Sequence, residues 1–241
     1  MAAANQMICK LCHKDRVLRN SHIIPEFVYR PMYDEKHRYY EISTDPTRPI
    51  RQKQKGIREP LLCQACETLL SRHENYVRRL LYGGVGFIGA MHRDQYKLSG
   101  LYYSHIRLCY LSILWRMSIS SLPLFRSVSL GPHEEIISTM LNAENPGEPD
   151  EYGFVGIVPV INRKIFADLI LQPESIKHGG RRIYRVVIGG ILFLFLVPKP
   201  ADGSDAQKAF VQPDGTWVLI ARDIKRIPFL DQWLEGAANK T

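Results

Sequence analysis

Apolar residues recur at helical intervals through one early stretch of the chain: Leu69, Leu70, Tyr76, Val77, Leu80 and Leu81. This pattern predicts a helix over Thr68–Leu81, ended by Gly83-Gly84. Leu101–Ser121 is apolar around most of its circumference and reads as a central helix. Arg116 inside it must either snorkel or pair with an acid. His133–Asn142 is a third, shorter helix, entered by Pro132. Glu144–Glu151 carries Pro146, Gly147 and Pro149 and reads as a loop.

Beyond that loop the period changes. Gly153–Val160, Arg182–Ile188, Ile191–Val197, Lys208–Gln212 and Thr216–Ile220 are rich in Val, Ile, Phe and Tyr and read as strands. Gly189-Gly190 and Asp214-Gly215 are expected hairpin turns. Ile165–Leu171 is one more strand or a short helix. The glycine-rich Gly83–Gly89 lacks the Lys-Ser/Thr of a phosphate-cradling loop and reads as a turn or hinge. Asp34–Lys55 is a polar, extended insertion.

Two apolar runs invite comparison with membrane spans. Leu108–Trp115 is closely bracketed by His105, Arg107 and Arg116, and Val186–Val197 has 12 residues, short of the roughly 20 a spanning helix needs. The expectation is a protein without membrane association. No signal-peptide pattern opens the sequence, so the expected location is cytoplasmic.

Of 241 residues, 45% are hydrophobic and 23% charged, which is ordinary globular composition. The net charge of +8 is unevenly placed. Residues 1–100 hold 17 basic against 10 acidic side chains, and the remainder 15 against 14. Four thiolates on a divalent ion would leave the first part basic still. A polyanionic partner, nucleic acid first, is therefore expected, with a merely solvated basic surface as the alternative.

Four of the five cysteines form two Cys-x-x-Cys pairs, Cys9/Cys12 and Cys63/Cys66. Two such pairs, in a chain with no sign of secretion, favour a structural zinc ion over disulfides. Four thiolates would also accept an iron–sulfur cluster. Cys109 stands apart in an apolar helical pattern and reads as a buried, inert thiol. The first pair leads towards Val17-Leu18, a short strand, and the second opens the Thr68–Leu81 helix. One knuckle starting a hairpin and the other a helix is the treble-clef arrangement.

Asn20-Ser-His-Ile-Ile-Pro-Glu26 lies between the pairs, and Arg58-Glu-Pro-Leu-Leu62 precedes the second. With Cys-x-x-Cys before them and Leu-Leu-Cys-x-x-Cys-Glu after, residues 9–81 resemble the zinc-stapled branch of the His-Asn-His (HNH) endonucleases. They are also similar to a bacterial set carrying SHIIP and LLCxxCE. The resemblance implies a ββα-metal module and phosphodiester hydrolysis with one Mg²⁺ or Mn²⁺. His22 takes the general base position, since a neutral imidazole suits that role near pH 7. Glu67 falls at the metal-ligand position after the second pair, with Glu74 as a further ligand or as a partner fixing His22 or an arginine, and His73 as a less favourably placed alternative. Arg58 stands near the family's middle Asn and would clamp phosphate. Arg48, Arg51, Lys53 and Lys55 extend a basic run along a nucleic-acid backbone, with DNA favoured over RNA but the choice left open by the sequence. HNH-type enzymes are often dimeric, so the resemblance leaves room for a homodimer, although no feature of the sequence marks an interface.

The sequence departs from the pattern at Ser21, where an acid is usual, and at Arg58. These departures favour an alternative, a non-catalytic zinc-stabilised nucleic-acid-binding or adaptor protein. Each residue also has a plainer role. His22 would serve as a polar strut, Glu67 would suit the helix N-terminus, and Glu74 would pair with Arg78. The expected fold is α+β: a zinc-stapled ββα module over 1–85, then a helical segment and a C-terminal antiparallel sheet over 86–241.

Overall fold

A computed structural model describes residues 6–42, 49–162, 164–165, 168–198 and 205–238. The chain opens with β1 (Gln6–Ile8) and β2 (Asp15–His22), joined by the first knuckle. A one-turn helix α1 (Glu26–Tyr29) follows, then the short ribbon β3 (Tyr39–Glu41) and β4 (Arg51–Lys53), and β5 (Arg58–Cys63). β5 runs directly into α2 (Gln64–Tyr82). β2 lies between β1 and β5, antiparallel to both.

α2 begins four residues earlier than the apolar period indicates. Cys63 sits in extended backbone at the N-cap, so the second knuckle is itself the first turn of the helix. Cys66, Leu70, His73, Tyr76, Val77 and Leu80 form its buried stripe. Gly83, at φ 84°, ends it in a conformation that L side chains rarely adopt.

Next come β6 (Ile88–His92), β7 (Gln95–Ser99), α3 (Tyr103–Ile119) and α4 (His133–Asn142). β8 (Phe154–Ile161), β9 (Lys164–Ile165), β10 (Leu171–His178), β11 (Arg181–Ile188), β12 (Ile191–Val197), β13 (Trp217–Asp223) and α5 (Pro228–Ala238) complete the chain. Ile106–Met117 of α3 are all buried, as expected of a helix without a polar face. Tyr110 of α3 packs on Phe154, Phe193 and Trp217, with ring centroids 5.4, 4.3 and 6.0 Å away. One cluster of buried residues runs from Cys9 to Leu219 through α2 and α3.

The protein is thus mixed α+β, with five α-helices among the described residues and one large sheet. The sheet differs from the expected antiparallel one in three respects. β13 runs parallel to β8, because the chain crosses the sheet between them rather than turning back in a hairpin. The Gly83–Gly89 stretch, read as a turn, leads into the β6–β7 hairpin, and β7 joins the sheet through β13. The Lys208–Gln212 strand is instead a 3₁₀ turn over Asp205–Ala209 followed by buried Phe210 and Val211. These apolar residues fill the core without pairing. Of the Ile165–Leu171 segment, Ile165 closes β9 and Leu171 opens β10, while residues 166 and 167 lie outside the described ones.

α5 had no counterpart in the sequence reading. Its Phe229, Leu230, Trp233 and Leu234 pack with Leu171, Val187 and Leu192, apart from the main core. Pro228 at its first position and that i, i+1, i+4, i+5 spacing are the signals that mark it.

No helix of the described residues is long and apolar enough to cross a membrane.

Candidate functional site

The four paired cysteines converge as the spacing predicts. One sulfur from each of Cys9, Cys12, Cys63 and Cys66 lies within 4.8 Å of every other. The Cys12 and Cys63 sulfurs are 3.9 Å apart, close to the edge of about 3.8 Å in a tetrahedron with metal–sulfur bonds near 2.3 Å. Backbone geometry builds this arrangement. His13, at φ 55°, donates its N–H to the Cys9 carbonyl over 2.9 Å, closing the first knuckle. Lys10 N–H binds the Leu61 carbonyl, tying that knuckle to β5. The Cys63 N–H donates to Cys9 Sγ over 3.3 Å.

The electrostatics call for a cation. Burial raises the Cys9 thiol, but the N–H groups around Cys12, Cys63 and Leu11 outweigh it and bring it down to about 7. Cys66 is pushed the other way, by burial and by the three sulfurs around it. Four thiolates cannot share this volume unaided, and a divalent ion supplies the compensating charge. The cluster therefore has the geometry and the chemistry to hold a metal ion such as zinc. Cys109 is fully buried on α3, away from this group.

The second concentration of chemistry is a cleft of about 420 Å³ between β2, α1 and α2. His22, Glu26, Arg30, His37, Glu74 and Arg78 line it, with Tyr33, Ser71 and Asn75. His22 closes β2 and lies opposite Arg58 in the β2–β5 register. Pro25 then turns the chain, so that Glu26 returns beside the imidazole four residues on.

Two groups contest one nitrogen there. Arg58 Nε donates to His22 Nε2 over 2.7 Å, which needs a lone pair on that atom. Glu26 Oε2 stands 2.6 Å from the same Nε2, and only a proton on Nε2 would satisfy it. Both cannot hold at once, and Glu26 Oε2 is left buried without a donor. Glu26 Oε1 is better served, since it accepts from the Tyr33 hydroxyl over 2.6 Å. His37 Nε2 lies 3.7 Å from that oxygen.

Burial, then the Arg58 charge, holds the His22 pKa below the ordinary histidine value against the opposing pull of Glu26. Burial raises Glu26, but Tyr33 and His22 outweigh it and keep its carboxyl below the usual range. A neutral imidazole beside an ionised carboxylate follows for pH 7.

Two of the lining residues are held from behind by Arg116, only 1% exposed on α3. It donates to the His22 carbonyl over 2.7 Å and to Glu74 Oε1 over 2.5 Å. This is the acid partner that its apolar surroundings demand. Glu74 is therefore committed to Arg116 rather than paired with Arg78.

The other sequence-predicted residues are dispersed. Glu67 does not line the cleft. It is half-buried beside Ser21, its Oε1 has no partner, and burial raises its carboxyl pKa. Ser21 is used internally, accepting from Leu62 N–H and donating to the Arg19 carbonyl. Arg51 and Lys53 are exposed on β4, where Lys53 lies 3.5 Å from Glu41 across the ribbon. Lys55 is exposed just beyond it. Arg48 lies outside the described residues.

Sequence reasoning gave no role to Glu26, Tyr33 or His37. The i+4 spacing of Glu26 from His22 was visible, but only the turn at Pro25 makes it a contact. Compared with known protein families, with curated proteins and with solved structures, the chain matches none.

Proposed function

We propose that the protein is a metal-dependent endonuclease of HNH type, hydrolysing nucleic-acid phosphodiester bonds on a treble-clef module stapled by zinc. The observation that carries this reading is His22, its pKa lowered and its Nε2 2.6 Å from Glu26, on the wall of a cleft that also presents Arg30 and Arg78. When Glu26 holds the proton of Nε2, the lone pair falls on Nδ1, which can take a proton from an attacking water. Arg58, whose guanidinium also lies 3.6 Å from Glu26, would then turn from Nε2 to the phosphate. Glu26 and His37 are the groups in the cleft best suited to hold a divalent ion, which would stabilise charge on the phosphate. Exposed Arg51, Lys53 and Lys55 would follow the nucleic-acid backbone, DNA in preference to RNA.

A second reading is an adaptor that binds nucleic acid without cutting it. The commitment of Glu74 to Arg116, and the place of Glu67 away from the cleft lining, favour it.

The test is incubation of plasmid and single-stranded nucleic acids with the protein and His22→Ala, in Mg²⁺ or Mn²⁺ and in EDTA. Cleavage that needs metal and falls about 10²–10⁴-fold in the variant is the expected result. Salt-sensitive binding without cleavage by either protein selects the adaptor. Neither binding nor cleavage overturns both.

A further inference from the structure

α2 and α3 bring together two histidines that the cleft and the cysteine cluster do not use. His73 is 3% exposed on the buried stripe of α2, and His105 lies opposite it on α3. Their Nδ1 atoms face each other at 3.0 Å. His73 Nε2 points the other way, 3.5 Å from Glu144 Oε1, and has no hydrogen-bond partner. Tyr76 stacks on the His105 ring with centroids 5.0 Å apart, fixing its plane.

A hydrogen bond between the two imidazoles is one account of this contact. If His73 Nδ1 carries the proton, its Nε2 is a bare lone pair turned towards a carboxylate. If His105 carries it, His73 Nε2–H faces Glu144 Oε1 at 3.5 Å, a long contact. A cation between the Nδ1 atoms accounts for the same contacts, with His73 Nε2–H again 3.5 Å from Glu144 Oε1. Both imidazoles then offer lone pairs to the ion, and Nε2–H of His73 turns to Glu144. A ligating histidine usually has such a carboxylate on its far nitrogen.

The distance fits as well. Two nitrogens 3.0 Å apart, each about 2.05 Å from one ion, subtend roughly 95° there. Opening the pair by about 0.3 Å gives the tetrahedral angle. Burial lowers the pKa of both histidines, keeping them in the neutral form a metal needs.

We infer that His73 and His105 form a second metal site, separate from the four cysteines, for a divalent transition ion such as Zn²⁺, Ni²⁺ or Co²⁺. Imidazole nitrogen selects these ions over Mg²⁺ or Ca²⁺. His105 is only half-buried, so water can complete the coordination from its side. Glu144 acts as a positioning residue through His73.

The test is to load the full chain with Zn²⁺, dialyse it against micromolar free Zn²⁺, and count bound zinc. Wild type is expected to hold two ions per chain, and His105→Asn and His73→Asn one each. His105→Asn is the informative variant, because a half-buried site tolerates substitution better than a fully buried one. Circular dichroism and retention of the cysteine-bound ion check that each variant is folded. Glu144→Gln keeps both histidines and is expected to weaken the second ion about 10–100-fold. A single ion in wild type overturns the site and leaves an imidazole–imidazole hydrogen bond. A second ion that survives both histidine variants lies elsewhere and overturns the site equally, and its loss in Glu26→Gln would assign it to the cleft.

Discussion

The cysteine cluster and the His22 cleft sit on the same two strands and one helix, yet they meet their electrostatic demands in opposite ways. Around the cysteines, four like donors converge, backbone N–H groups point at sulfur, and one divalent ion would satisfy all four. Around His22, a guanidinium and a carboxylate contest a single nitrogen, and one carboxylate oxygen has no donor. The first arrangement has one solution and suits a staple. The second has two, differing in where a proton and an arginine sit, and suits a site that exchanges protons or ligands. Unsatisfied buried polar groups are costly, so the cleft persists because its surroundings hold it.

The largest effect is expected from breaking the staple. Metal binding to small zinc modules carries apparent free energies of about 10–16 kcal/mol, much of it folding free energy. Cys63→Ser removes a ligand while leaving a residue well suited to the N-cap of α2. We expect loss of the ion, by metal analysis, and a melting transition lowered by more than about 10 °C. A strong chelator should do the same to wild type. An unchanged transition in Cys63→Ser would show that the cluster does not hold the fold.

Arg116 comes next, because it carries the cleft on a buried ion pair. Arg116→Met leaves Glu74 without its partner and the His22 carbonyl without a donor. Removing one member of a buried pair typically costs about 3–5 kcal/mol, read by urea denaturation. Adding Glu74→Leu should recover part of that loss, since no charge is then stranded. A single-variant loss below about 1 kcal/mol would mean that water replaces the guanidinium.

The contest at His22 can be resolved by titration. Arg58 lowers the imidazole pKa and Glu26 raises it. Arg58→Met should move the His22 midpoint up and Glu26→Gln should move it down, both read from its ring protons by NMR. Shifts of equal sign would show that neither charge acts directly. The linkage to stability has a definite direction. The folded pKa of His22 lies below the unfolded one, so the unfolded chain takes up the proton first as pH falls. Stability is therefore expected to decline from the ordinary histidine range down to the depressed folded value, and to level off below it.

What the sequence could reveal divides along the same line as these two sites. The cysteines were legible because a Cys-x-x-Cys turn prescribes its geometry locally. α2, α3, α4 and the strands β8, β11, β12 and β13 follow from apolar period. The partner of Arg116 was only half legible, because an arginine among apolar residues demands an acid without saying which. Glu26 could not be assigned, since its contact with His22 depends on a turn rather than on helical spacing. β6 and β7 escaped because Phe87, Ile88 and Met91 are exposed, and an uncovered edge hairpin leaves no alternation to read. The parallel pairing of β8 with β13 depends on a crossover that local pattern does not encode.

The smallest effect concerns Glu67, and it separates two roles for that residue. Its carboxyl is held above the ordinary range by burial, against the pull of Ser21 and Arg116. The folded chain therefore keeps a proton that the unfolded chain has released. Stability should fall as pH rises from the ordinary carboxylate value through the raised folded one, the reverse of a carboxylate in a good ion pair. Glu67→Gln mimics the protonated group, so it should match wild type near pH 4 and exceed it modestly at pH 7, in denaturation at both values. If Glu67 instead ligates a divalent ion, the variant should lose metal-dependent activity and stabilisation by added Mn²⁺. A variant that is more stable at pH 7 and still cleaves places the metal with Glu26 and His37. One that is less stable at pH 7 shows that a partner in solution satisfies Oε1, and that the helix N-terminus favours the charge.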